Sequence, residues 1–356
     1  MKGIILHGGH GTRLRPLTHT GPKQLLPIVN KPMSQYALED LKKIGVDDIG
    51  IIIGDVYPEK VKEYYGDGTN FGVKITYIYQ DHPKGISHAI NLCKEFIGNE
   101  KFVVYLGDNI LRKDLTSYAE KFQRSKADSM ILLCEVDEPS RFGIVDLDFK
   151  NKKIIKIMEK PKNPPTNFAV IGIYFLTPII FEVIKNQKPS WRNELEITES
   201  LQLLLEQGFK IEYEMVTGWW KDTGTPQDIL DANKLILDSI GTENQFFVSD
   251  EFKISQNVVL GKNIEITRDT HIIGPVIIGK NCKIGPKVRL GPYVSIGDNC
   301  IIKNCDIEDS IIMSNCKINL EVDIFDSIIA DGSEIENSEK TKKCQFLLGE
   351  RSHLKF

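Results

Sequence analysis

No apolar run in these 356 residues approaches the roughly 20 that a membrane-spanning helix needs. The opening KGIIL does not have the pattern of a secretory leader. An excess of one charge is also missing, since 45 Lys and Arg against 49 Asp and Glu leave a formal charge of −4. Broad binding to nucleic acid or to an anionic membrane needs a strong basic excess, so neither partner is expected. The seven cysteines are an odd number with no CxxC pair, which argues against a disulfide framework and for a reduced, cytoplasmic chain. The seven histidines include no HxH or HExxH spacing, so no zinc site is expected. What is present, 41% hydrophobic and 26% charged residues, describes a globular protein too long for one ordinary core.

The chain reads as two unlike halves. Residues 1–240 alternate β-branched runs with helical stretches: KGIIL (2–6), IGIIIG (49–54), KITYIY (74–79), FVVYLGD (102–108) and SMILLCEV (129–136) as strands, with helices at 34–44, 86–97 and 114–125. This alternation predicts an α/β domain with a mostly parallel sheet, right-handed crossovers and helices on both faces. Ligands then belong beyond the carboxyl ends of the strands. A last helix over 226–240 starts at Pro226 and stops at Gly241. Residues 241–253 read as a polar linker.

From there an aliphatic residue recurs every six positions: Ile254, Leu260, Ile266, Ile272, Ile278, Ile284, Leu290, Ile296 and Ile302. At 41% apolar content, nine consecutive hits have a chance probability of roughly 3 in 10,000. Cys282, Cys300 and Cys316 fall on companion positions expected to face inward, where a small soft side chain packs well. A period of six suits neither a helix nor an ordinary strand. It fits a parallel β-helix over 254–335, one aliphatic residue pointing inward per face. The frame fails near Glu308 and resumes at Ile312, Ile318 and Ile324, implying an inserted loop of four residues. Residues 336–356 are aperiodic and read as a capping tail.

The first strand runs into HGGHGTRLRPLTHTGPKQLLPIVNKP (7–32). Gly8, Gly9 and Gly11 allow backbone N–H groups to approach a bulky anion, and Arg13, Arg15 and Lys23 add fixed positive charge. Leu14 replaces the third glycine of a dinucleotide fingerprint and no GK[ST] follows, so the loop is neither that motif nor a Walker A loop. A tight turn with solvated basic residues is the plain alternative to phosphate binding. Asp108 in LGDN and Asp222 in WWKDTGTP stand at strand ends, and two such carboxylates are what Mg²⁺ takes alongside phosphate oxygens and water. Capping a helix is the plain alternative for either aspartate, although Thr225 before Pro226 fits that cap better than Asp222. Gln80 follows the third strand, where its amide can read a nucleobase edge, with Gly85 permitting close approach. Gly143 in RFGIV and Lys160 in MEKP complete this edge.

Taken together, GGHGTRLRPLT with PKQLLPIVNKP, VVYLGDN, RFGIV, EKP, NFAVIGIYF, WRNELEITE and GWWKDTGTP resemble the sugar nucleotidyltransferases over nearly the whole chain, in the long form of the glucose-1-phosphate thymidylyltransferases. The resemblance implies a Rossmann-like domain followed by a left-handed β-helix of hexapeptide repeats, and a homo-oligomer built on that β-helix. It implies that Arg13 and Lys23 bind and polarise a nucleoside triphosphate, that Gly8, Gly9, Gly11 and Thr12 cradle it, and that Gln24 sits nearby. By the same token Gln80 and Gly85 contact the base, and Asp108 and Asp222 hold Mg²⁺. Asn109, Gly143, Glu159, Lys160 and Val170 bind the sugar 1-phosphate, with Lys160 on its phosphate. Three positions depart from the family pattern: His10 in the loop, Ile171 at a commonly small or polar position, and Asn193 for the glycine of RGELEIT.

The implied reaction joins a sugar 1-phosphate to the α-phosphorus of dTTP and releases pyrophosphate, with no covalent intermediate. UTP or an amino-sugar phosphate would suit the same scaffold. Acyl transfer in the β-helix is a weaker alternative, because His271 is its one histidine and has no neighbouring cluster of Asn, Tyr and Lys. A non-catalytic sensor or scaffold would not need Arg13, Lys23, Asp108, Lys160 and Asp222 together.

Overall fold

The computed structural model describes residues 1–240, 253–254, 257–267, 269–336 and 343–355. Nearly all of the 241–253 linker therefore lies outside the described residues. The chain forms two compact units, Met1–Gly9 with Ser34–Asp222, and His10–Met33 with Thr223–Phe356. The division cuts across the glycine-rich loop and places the helix Pro226–Ile240 with the C-terminal repeats.

In the first unit, strands Lys2–His7, Asp48–Ile53, Lys74–Tyr79 and Phe102–Leu106 are parallel and lie in the order 74–79, 48–53, 2–7, 102–106. The three inner strands are nearly continuous apolar runs because both of their faces are covered, whereas the edge strand Lys74–Tyr79 is only partly buried. The strand order reverses beside Lys2–His7, which puts the ends of that strand and of Phe102–Leu106 at a switch point. Beyond it the sheet departs from the mostly parallel expectation. Phe168–Leu176 runs antiparallel to Phe102–Leu106, to Ser129–Glu135 and to Gly143–Asp148, and Lys153–Glu159 is antiparallel to Gly143–Asp148. For the last of these pairs the reason is chain length: residues 149–152 are too few for a crossover, so the chain folds straight back. The sheet is mixed. Its core includes Ile4, Phe102, Val104, Ile131, Val145 and Leu201, each worth roughly 1.5–3 kcal/mol of burial.

In the second unit the repeats form stacked parallel ladders. Val258 pairs with Val276 and Val276 with Val294, eighteen residues or three hexads apart. Ile272, Ile278, Ile284, Leu290, Ile296 and Ile302 are all buried, and so are Cys282, Cys300 and Cys316 as expected of inward positions. Corners are made by asparagines in left-handed conformation, among them Asn263, Asn281, Asn299 and Asn315. Their amides form a ladder, Asn263 to Asn281 to Asn299 to Asn315, with links of 3.0–3.1 Å. Gly279 stands where successive layers nearly touch, since a Cβ there would lie 2.7 Å from the Asp298 amide nitrogen.

The break in period is not a four-residue insertion. Buried Ile307 and Ile312 follow Ile302 at steps of five, and Leu290 pairs with Ile307 while Ile296 pairs with Ile312. Two faces are each one residue short, closed by left-handed corners at Asn304 and Asp309. The aperiodic tail extends the ladders, with Leu347 beside Ile328 and His353 beside Glu334. Among the described residues no helix is long and apolar enough to cross a membrane.

Candidate active site

The switch point carries His7, Gly8 and Gly9 on one strand end and Asp108 on the other, where the Gly107 amide donates to the Leu6 carbonyl (3.0 Å). Asp108 does not cap a helix, because the chain continues as the short strand Asn109–Leu111. Asp222 does not cap one either. It ends the strand Trp220–Asp222, while the Thr225 hydroxyl accepts from the Asp228 amide (3.3 Å) and donates to its carboxylate (2.6 Å) at the helix start. The two short strands pair antiparallel, with Asp222 opposite Asn109, so Asp222 is set beside the chain neighbour of Asp108. The buried hydroxyl of Tyr174 is held well above its usual range, first by burial and then by Glu159, Asp108, Asp222 and Glu196.

Asn109 organises this corner. Its Oδ1 accepts from Trp220 Nε1 (2.7 Å) and from the Gly172 amide (3.1 Å), and its Nδ2 donates to Asp108 Oδ1 (3.1 Å). The residue that the resemblance puts against the sugar phosphate thus has its amide on these three partners. Gly172 sits in a bulge of Phe168–Leu176, between the register points Val170–Leu133 and Tyr174–Ile131. Val170 and Ile171 are buried at its start.

Glu159 pairs across the strands with Gly143 and accepts from the Thr198 hydroxyl (2.9 Å). A Cβ on Gly143 would lie 2.4 Å from Thr198 Cγ2, so only glycine leaves that hydroxyl its place. Lys160 Nζ is 3.4 Å and Arg192 Nη1 3.6 Å from Glu159 Oε1, and Arg192 also pairs with Glu194 and Glu196. Burial, and then Glu159, raise the Glu196 carboxyl above its ordinary value. Asn193 has φ 61, a conformation asparagine tolerates better than most residues, so the departure from glycine keeps the loop's path.

Gln80 is buried, and its Nε2 lies 2.9 Å from His88 Nδ1. An amide nitrogen only donates, so Nδ1 accepts and the imidazole is neutral, in line with the lowering of its pKa by burial and then Lys84. That leaves Gln80 Oε1 as an acceptor, 3.8 Å from where a Gly8 Cβ would stand. Gly85 has φ 101, and a Cβ there would strike the Leu195 carbonyl at 2.4 Å.

His7 sits 5% exposed, edge-on to Tyr65 (5.9 Å), with neither ring nitrogen hydrogen-bonded. Burial lowers its pKa from 6.5 to about 3, against the opposing pull of Asp108. Below pH 6.5 the unfolded chain takes up a proton that the folded chain refuses, so stability falls with pH by up to about 1.4 kcal/mol per unit. Urea unfolding at pH 7 and pH 5 is expected to show wild type losing about 2 kcal/mol more than His7→Leu. Equal losses in the two proteins would refute the assignment.

The remaining loop residues belong to the second unit. Gly11 (φ 59) opens the turn Thr12–Leu14, and its missing Cβ would stand 2.9 Å from Thr18 Cγ2 and 3.3 Å from Lys23 Cβ. Lys23 opens the turn Lys23–Leu25, and Gln24 is buried within it. The exposed Arg13 lays its guanidinium on Gly224, where a Cβ would be 2.8 Å from Nη2. Gly224 lies two residues after Asp222 in the chain. Among the described residues no group of three or more His, Cys, Asp or Glu could hold a metal. An all-oxygen pair such as Asp108 and Asp222 fits a cation that completes its shell with phosphate and water.

Sequence reasoning missed Tyr174, Gly172, Arg192, Thr198 and His88. The signals were in view: a glycine inside the apolar run NFAVIGIYF, and adjacent charge in WRNELEITE.

A reversal of strand order with glycines on one strand end and an aspartate on the next is where open α/β domains take phosphorylated ligands. The nucleotidyl transferase family model matches residues 2–239, and the chain belongs to that family. A second model, the GMPPB C-terminal domain, matches residues 272–355. The chain is 42% identical over its full length, and over all of the relative, to the low-salt glycan biosynthesis nucleotidyltransferase Agl11 of Haloferax volcanii. It is 37% identical to a glucose-1-phosphate thymidylyltransferase of Streptomyces antibioticus, over 99% of this chain and 98% of that one. Among solved structures, UDP-glucose pyrophosphorylase complexed with UDP-glucose superposes with a TM-score of 0.61 at 29% identity, covering 67% of this chain and 98% of that one.

Proposed function

We propose that the chain transfers a thymidylyl group from dTTP to α-D-glucose 1-phosphate, giving dTDP-glucose and pyrophosphate. The observation that supports this reading is the pairing of Asp222 with Asn109, the chain neighbour of Asp108. The near full-length similarity to a glucose-1-phosphate thymidylyltransferase supports the choice of substrates.

An oxygen of the sugar phosphate attacks the α-phosphorus while the bond to pyrophosphate breaks, so the leaving group departs with the electron pair. The attacking oxygen is already ionised at neutral pH, and no general base is needed. The barrier is repulsion between two anions and charge growing on the α-phosphoryl oxygens, which positioning and electrostatics lower. Arg13 and Lys23 supply positive charge to the triphosphate, with Gly8, Gly9, Gly11 and Thr12 lining its path. Lys160 binds the phosphate of the sugar, while Glu159 and Gly143 take its hydroxyls. Asp108 and Asp222 would hold Mg²⁺, which supplies charge neutralisation on the phosphates. Gln80 Oε1 would accept the imide N–H of the base, and Gly85 lets the base approach.

UTP is a second reading, because thymine and uracil share that imide edge and differ only in a methyl group. A uridylyltransferase, AglF of Haloferax volcanii, is 35% identical over 64% of this chain. A panel of triphosphates and sugar 1-phosphates, followed by pyrophosphate release, should give the highest kcat/KM with dTTP and glucose 1-phosphate. A preference for ATP or GTP would refute the role of Gln80, and a preference for UTP would move the assignment to uridylyl transfer. For the repeats, ladders spaced at eighteen residues support a left-handed parallel β-helix with three hexads to a turn.

A further inference from the structure

The second unit contains a joint that the proposed chemistry does not use. The hairpin Pro27–Ile28 with Lys31–Pro32 turns on Val29 and Asn30, both left-handed at φ 51 and 60. A β-branched residue in that region is a strained outlier, and it persists only where its surroundings hold it. Here the Val29 amide donates to Asn233 Oδ1 (3.0 Å, buried). The same oxygen accepts from the Ser295 hydroxyl (2.7 Å, buried), and Asn30 Nδ2 donates to the Ile296 carbonyl (2.7 Å). Asn233 is 1% exposed in the helix Pro226–Ile240, and Ser295 and Ile296 lie on the repeat strand Val294–Ile296. The hairpin follows the Lys23–Leu25 turn almost directly, and the Met33 amide closes back on the Leu26 carbonyl (3.1 Å). Lys23 in turn packs beside Gly11, at the head of the turn that carries Arg13. A continuous path of buried hydrogen bonds and short turns thus runs from the repeats through Asn233 to the cation-bearing segment.

We propose that Asn233 is a positioning residue, fixing the Val29–Asn30 turn to the repeats and so setting where Arg13 and Lys23 meet the triphosphate. The C-terminal repeats then act in catalysis as the mount for that segment. The proposal rests on the triphosphate role given to Arg13 and Lys23 above.

The test is steady-state kinetics of the full chain, with the triphosphate that the panel selects and with glucose 1-phosphate. Asn233→Ala is expected to raise KM for the triphosphate about tenfold or more, with KM for the sugar phosphate within about twofold of wild type. Lys234→Ala removes the neighbouring ion pair to Asp309 (3.0 Å) but leaves the hairpin tie, and should change neither constant. Should Asn233→Ala fail to fold, Ser295→Ala, which keeps the bond to Val29, is expected to raise the triphosphate KM about threefold. A lowered melting temperature with both KM values unchanged, or a parallel rise in both, would overturn the proposal in favour of a purely structural role. Wild-type kcat/KM for the triphosphate in Arg13→Ala and Lys23→Ala would instead show that the underlying assignment has failed, whatever Asn233 does.

Discussion

Arg13→Ala is expected to lower kcat by about two to three orders of magnitude, with little change in folding stability. The magnitude is that of losing one preorganised donor aimed at charge that appears only in the transition state. The structural grounds are local. Arg13 is exposed, so truncation opens no cavity in a core, and its guanidinium is steered by the absence of a side chain at Gly224. Gly224→Ala is a milder version of the same experiment, because its methyl would press to 2.8 Å of Nη2 and rotate the guanidinium without removing it. Pyrophosphate release under saturating substrates measures both variants. Near-normal turnover in Arg13→Ala would place the guanidinium outside the reacting centre.

Gly172→Ala is expected to reduce kcat about a hundredfold although the residue touches no substrate. The added methyl would stand 2.6 Å from Asn109 Oδ1 and 2.7 Å from Leu106 Cδ1. Asn109 has no cheap way to yield: it is 2% exposed and bonded to Gly172, Trp220 and Asp108. Moving its amide disturbs both the carboxylate of Asp108 and the strand that ends in Asp222. Overpacking of this kind also costs about 1–3 kcal/mol of stability, which denaturant titration would register. A double-mutant cycle separates the causes. In an Asn109→Ala background only the Leu106 contact remains, so Gly172→Ala should add clearly less loss of kcat than it causes in wild type. Full additivity of the two substitutions would show that Gly172 acts by another route.

Much of the fold was legible because it follows from neighbours along the chain. The apolar runs at 2–6, 49–54, 74–79, 102–108 and 129–136 all became strands, each to within a few residues of its predicted ends. The helix predicted over 86–97 is broken at Cys93 into Ile86–Leu92 and Lys94–Ile97, a local departure that no Gly or Pro announces. The pairing beyond the switch point was not legible, since apolar period does not state direction. Nor was the shortening at Ile307 and Ile312, because an insertion of four and two deletions of one leave the same phase. In the candidate site, glycines and charges at strand ends drew attention to themselves. Asn233 did not, as its partners Val29 and Ser295 lie 204 and 62 residues away along the chain.

From its amino acids alone, this chain specifies a domain of alternating strands and helices, a six-residue repeat with its inward column, and the set of cations and carboxylates available for phosphate chemistry. These are matters of periodicity and composition, settled by which side chains follow one another. Only the tertiary structure decides that Asp222 faces Asn109, that Gly172 must be bare for Asn109 to hold Asp108, and that the Val29–Asn30 turn hangs from Asn233 and the repeats. Those facts depend on surfaces brought together from distant segments, where steric fit and buried hydrogen bonds, rather than local pattern, select the arrangement.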